Sequence, residues 1–118
     1  MMSDNKGSEY EQIAEKYLLD RGYDVIDKNF ICRFGEIDII ALKDDRIHFV
    51  EVKGRKNVSY GHPREFVTTS KQRKIISAAK YYFLLKKQDD MFCQFDVIEI
   101  IADSGTINFI EDAFRTDA

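Results

Sequence analysis

Glu36 and Asp38, in Gly35-Glu36-Ile37-Asp38, and Glu51 and Lys53, in Glu51-Val52-Lys53, are the side chains whose type and spacing best suit chemistry. Both segments are rich in branched residues and read as strands, over Glu36 to Leu42 and Ile47 to Val52. Strand side chains alternate, so Glu51 and Lys53 share a face and Val52 opposes them. Asp44-Asp45 between the strands is turn chemistry. A two-residue turn there pairs Lys43 with Arg46, which sets Asp38 across from Glu51 and Glu36 across from Lys53. One more loop residue would destroy that alignment.

Two carboxylates about 5 Å apart repel by roughly 3 kcal/mol at an effective dielectric of about 20, so such a pair calls for a cation. Lys53 offsets part of the repulsion, and a cross-strand salt bridge on a solvated sheet face is one outcome. The other is a metal. Asp38 and Glu51 with the Val52 backbone carbonyl form an oxygen donor set of the kind Mg²⁺ prefers, and that ion keeps waters and takes phosphate oxygens to complete its shell. A bound metal acidifies such a water, and an adjacent lysine orients it or stabilises developing negative charge. The reaction class is hydrolysis of a phosphodiester.

The elements that must position these residues follow from the same patterns. Ser8 and Glu11 have capping-box spacing, and Tyr10, Ile13, Ala14, Tyr17 and Leu18 recur at helical intervals, so a first helix runs to about Asp20. Gly22 stops it, and Tyr23 to Phe30 reads as a short strand ahead of the two described above. After Lys53 the pattern breaks into a loop of about ten residues holding Gly54, Gly61 and the only proline, Pro63. A second helix begins around Ser70 with Ile75, Ile76, Ala79, Tyr82 and Phe83 on its apolar side, where the aromatics serve the core rather than base stacking. Phe95 to Ile101 and Ile107 to Ile110 are the last strands. The order predicts an α/β domain with a mixed sheet, since the second helix can carry the chain across to a parallel strand.

Charge and composition narrow the function. The 118 residues are 44% hydrophobic and 33% charged, which fits one packed domain. The net charge is −3, but the segment from Lys53 to Lys87 carries +9 and the remainder −12. Such a basic segment can neutralise phosphates, or can be a solvated helix face. There is no apolar opening stretch and no run long enough to span a bilayer, so no membrane association and a cytoplasmic location are expected. Cys32 and Cys93 read as reduced core thiols. Two histidines, His48 and His62, are too few for a histidine-built metal site, so oxygen must dominate any metal's shell.

These residues look like the PD-(D/E)XK nuclease superfamily, and nearly the whole chain resembles the bacterial YraN family, itself similar to archaeal Holliday junction resolvases. The matching stretches are Ala14-Glu15, Gly22-Tyr23, Asn29-Phe30, Gly35-Glu36-Ile37-Asp38, Phe49-Val50-Glu51-Val52-Lys53, Arg55, Gly61-x-Pro63, Lys71-Gln72-Arg73-Lys74, Phe95-Asp96-Val97 and Ala113-Phe114. The resemblance spans residues 8–114, with tails at 1–7 and 115–118, and implies a restriction-endonuclease-like core, in the order α-β-β-β-α-β, with a mixed central sheet flanked by helices. It further implies Asp38 and Glu51 as metal ligands, Lys53 as the catalytic lysine, and Glu15 as an extra acid supplied by the first helix. Gln72 lies where related nucleases carry a glutamine, and Lys71 where a phosphate contact is expected. Ile37 stands where the superfamily name has proline, and Ile76 where a tyrosine would follow Gln72.

The resulting expectation is a Mg²⁺- or Mn²⁺-dependent endonuclease acting on DNA, with branched DNA as a candidate substrate. Arg55, Lys56, Lys71, Gln72 and Lys74 would bind the nucleic acid. A junction resolvase would also need a symmetric homodimer. The alternative is a nucleic-acid-binding or protein-interaction module that keeps the fold and performs no chemistry.

Overall fold

A computed structural model describes residues 5–57, 67–87 and 92–116. Gly61 and Pro63 lie outside the described residues. The elements run α1 (Asn5–Asp20), β1 (Asp24–Cys32), β2 (Gly35–Lys43), β3 (Arg46–Arg55), α2 (Thr69–Leu85), β4 (Cys93–Ile101) and β5 (Thr106–Phe114). The five strands form one sheet in chain order, antiparallel except for β3 and β4, which α2 joins in parallel. The expected mixed α/β sheet flanked by helices is therefore present, and none of the described helices is long and apolar enough to cross a membrane.

One apolar cluster covers each face of the sheet. On one side α2 packs Ile75, Ala78, Ala79 and Tyr82 against Ile37, Ile40, Ile47, Phe49, Phe95 and Val97. On the other, α1 packs Ala14 and Leu18 against Ile39, Ala41, Val50, Ile98 and Ile100. Alternation along β3 thus sends Ile47 and Phe49 toward α2 and Val50 toward α1. The aromatics of α2 serve this core: Phe49 meets the rings of Tyr82 and Phe83 edge-on and stacks on Phe95.

Three local expectations change. The first helix begins at Asn5, so Ser8 lies within its first turns and does not cap it. A capping box marks a place where a helix can start, and the backbone ladder here extends beyond it. Ile13 is 41% exposed, because α1 meets the sheet only through the stripe of Tyr10, Ala14, Tyr17 and Leu18. Cys32 and Cys93 are free but half-buried rather than core thiols, packing at the margin of the α2-side cluster.

Candidate active site

The β2–β3 turn delivers the expected register. Asp44 and Asp45 adopt left-handed φ values of 53° and 62°, the conformation of a two-residue hairpin turn whose twist matches its strands. Lys43 consequently pairs with Arg46, and the ladder continues to Ile39 opposite Val50. Beyond that pair the two strands part. Asp38 Oδ2 accepts a hydrogen bond from the Val52 backbone N–H at 2.8 Å. Ile37 packs on the α2 side and Ile39 on the α1 side, so the alternation of β2 breaks around Asp38. Neither expected pair beyond Ile39 and Val50, Asp38 with Glu51 or Glu36 with Lys53, forms in the ladder; Asp38 reaches across to Val52, Glu36 stays exposed, and Lys53 turns to Glu51.

Glu51 is buried and holds two ammonium groups, Lys71 Nζ at 2.6 Å and Lys53 Nζ at 3.4 Å from its Oε2. Lys71 comes from the first turn of α2, whose N-cap is Thr68; its side chain accepts a hydrogen bond from the Lys71 backbone N–H. That cap fixes where the helix begins and hence which of its lysines meets the sheet. Burial, followed by repulsion from Glu51, pushes the Asp38 carboxyl up to about 8. Burial, with Lys71 nearby, lowers Lys53. Burial works most strongly against the Lys71 ammonium, but its bonds to Glu51 and Lys53 and the Glu51 and Asp38 charges together outweigh that and leave it raised.

Two adjoining clefts open on this group and share Asp38, Glu51 and Lys71. One, of about 260 Å³, continues along Glu36, Thr68, Ser70 and Lys74. The other, of about 510 Å³, runs past Tyr10, Glu11, Val52, Lys53, Arg55 and Lys56. Asp38, Glu51, Val52, Lys53, Arg55, Lys56, Lys71 and Lys74 are thus gathered along one connected surface. Arg55 also donates through Nε to the Asn57 carbonyl.

Two expected site residues lie elsewhere. Glu15 pairs with Lys28 at 3.0 Å and lines neither cleft; the acid that α1 contributes is Glu11, one turn earlier. Burial raises the Glu11 carboxyl, with the Glu36 and Glu51 charges adding to the effect and a hydrogen bond from Asn29 opposing it. A close approach at Gly54 sets this choice, since a Cβ there would lie 2.2 Å from Tyr10 Cδ2. Only glycine after Lys53 lets α1 come near enough to bring Glu11 to the cleft. Gln72 donates through Nε2 to the Val67 carbonyl at 3.0 Å and helps hold the start of α2, without lining either cleft.

The donor set is hard. Asp38 and Glu51 offer carboxylate oxygens, and Glu11 lines the same cleft, but among the described residues the three do not gather their oxygens closely enough to form one three-ligand cluster, and Glu51 is already paired with two lysines. Mg²⁺ or Mn²⁺ suits such a set.

Comparison with known proteins places the chain in a family. The model of uncharacterised protein family UPF0102 matches residues 10–100. A UPF0102 protein of Clostridium perfringens strain 13 is 51% identical over 109 residues, covering 89% of each chain. Another from Clostridium tetani is 47% identical over 121 residues, covering 98% of this chain and 99% of its own. A third, from Psychromonas ingrahamii, is 44% identical over 113 residues, covering 96% and 92%. The matched span contains Glu11, Asp38, Glu51, Lys53 and Lys71, the whole of the site, and the chain belongs to the UPF0102 family.

Proposed function

We propose that this protein is a divalent-metal-dependent endonuclease that hydrolyses phosphodiester bonds in DNA. The observation that carries the reading is the convergence of Asp38, Glu51 and Lys53 beside a lysine-lined cleft. Asp38 and Glu51 would hold the metal, with the Val52 carbonyl and Glu11 as further oxygen donors. When bound, Mg²⁺ or Mn²⁺ supplies charge neutralisation at the phosphate and an acidified water as nucleophile.

The protein's own groups have separable tasks. Lys53, half-buried and lowered by that burial, can orient the attacking water or steady charge on the phosphate. Lys71, Lys74, Arg55 and Lys56 line the path for the nucleic-acid backbone, where each phosphate contact releases counterions. A junction substrate would call for a two-fold symmetric pair of chains, so that two such sites face equivalent strands.

The test is cleavage of linear and four-way-junction DNA with Mg²⁺ or Mn²⁺ by the wild type, Asp38→Ala and Lys53→Ala. Cleavage by the wild type alone supports the reading. Equal cleavage by all three assigns the activity to a contaminant. A second reading, binding without chemistry, is favoured by the lysines that already neutralise Glu51, and wild type that binds DNA but never cuts would establish it.

A further inference from the structure

On the face of the sheet opposite Glu51, three strands bring together one imidazole and two carboxylates. His48 on β3, Asp96 on β4 and Glu111 on β5 present candidate ligand atoms that all lie within 4.8 Å of one another. We propose that this group is a second cation site, built for a zinc-class transition-metal ion and separate from the Asp38–Glu51 site.

The surroundings are made for Asp96. Its carboxylate is fully buried; Oδ1 accepts hydrogen bonds from Gln94 Nε2 and from the Asp112 backbone N–H, both at 2.8 Å. Its other oxygen, Oδ2, lies 2.6 Å from His48 Nδ1. Two donors saturate Oδ1, whereas Oδ2 meets His48 alone among the described residues and keeps one lone pair for an ion. The Tyr23 ring stands edge-on to the imidazole with centroids 4.9 Å apart and limits its rotation. The bond from Asp112 exists because β5 bulges: between the pairs Phe95–Phe114 and Val97–Ile110 it carries two residues more than β4. Asp112 itself takes a left-handed φ of 55°. Bulges of this kind re-aim side chains, and this one sets Glu111 beside the buried pair.

Charge supplies the second argument. Among the described residues, neither Lys43 nor Arg46 pairs with these carboxylates, although both line the same cleft of about 300 Å³. Lys43 donates to the Arg21 carbonyl at 2.8 Å, and Arg46 to Gln94 Oε1 at 3.2 Å. Among the described residues Glu111 meets only the Gln94 amide, at 3.3 Å. Among the described residues the fully buried Asp96 and the exposed Glu111 beside it therefore have no lysine or arginine partner, only the His48 imidazole and the Gln94 amide. A divalent ion held by His48, Asp96 and Glu111 supplies the missing positive charge. One nitrogen with carboxylate oxygens suits zinc better than magnesium, and three protein donors leave a position for water.

The test is titration of Zn²⁺ against a chromophoric chelator, together with the visible absorption of added Co²⁺. It uses wild type, Asp38→Asn, His48→Asn and Glu111→Gln, each checked for fold by circular dichroism. Expected is tight uptake of one Zn²⁺ and a Co²⁺ spectrum in wild type that Asp38→Asn retains. Glu111→Gln, an exposed position that the fold tolerates, should weaken uptake by about tenfold or more, and His48→Asn should abolish the spectrum. Zn²⁺ affinity and Co²⁺ absorption unchanged by Glu111→Gln and His48→Asn, or no Zn²⁺ uptake by wild type, would overturn the proposal.

Discussion

The ammonium of Lys71 lies 2.6 Å from Oε2 of Glu51, closer than that of Lys53 at 3.4 Å, although Lys53 is on the same strand as Glu51 and Lys71 arrives from α2. A helix lysine therefore stands at the carboxylate that the proposed metal would need. The Lys71 side chain is 42% exposed and that of Glu51 5%, so solvent screens the pair and holds its contribution to about 1 kcal/mol.

Replacing Lys71 should strengthen metal binding. Lys71→Met removes the competing cation, so calorimetric titration of Mn²⁺ should give an affinity several-fold above wild type. DNA binding by the same variant should weaken. An unchanged or lower Mn²⁺ affinity would show that Lys71 and the ion do not compete.

Asp38 makes stability depend on pH. Its carboxyl is raised from 3.8 to about 8 by burial and then by Glu51. Between those values the folded chain keeps a proton that the unfolded chain has released, so stability falls as pH rises from about 4 to 8 and then levels off. Asp38→Asn stays neutral throughout. In thermal denaturation with a chelator present, its Tm should match wild type near pH 4 and exceed it by a widening margin up to pH 8. A constant difference across that range would contradict a raised Asp38.

Gly54 governs how α1 approaches the site. Gly54→Ala places a methyl group 2.2 Å from the Tyr10 ring and should cost about 1–3 kcal/mol, measured by urea denaturation. The displaced helix would also withdraw Glu11, so the folded variant should bind Mn²⁺ more weakly. Full stability in this variant would mean that Tyr10 moves aside freely.

Lys74 lines the smaller cleft and is exposed. Lys74→Ala should weaken DNA binding about equally for every sequence and lower the slope of log K against log salt by about one. Fluorescence anisotropy between low and moderate salt would measure this, and an unchanged slope would remove Lys74 from the interface.

Much of the site is local and could be read from the chain alone. The Asp44-Asp45 turn, the alternation of β3 and the branched residues around them determine that β2 pairs with β3 as far as Ile39 and Val50 and that Lys53 shares the Glu51 face, because strand period and turn length act between near neighbours, whereas Asp38 lies where β2 leaves that ladder. The order of elements and the parallel return through α2 follow from hydrophobic period in the same way. Tertiary structure decided the rest. Glu11 and Glu15 lie one turn apart on α1, and only the contact of Tyr10 with Gly54 settles which of them meets the cleft. The Thr68 cap and the packing of α2 direct Lys71 toward Glu51 and leave Gln72 holding the helix start. The grouping of His48 with Asp96 and Glu111 depends on the parallel register of β3 with β4 and on the β5 bulge. Those relations join residues far apart in sequence, where neither helical nor strand period carries information, and close packing of the whole sheet sets them.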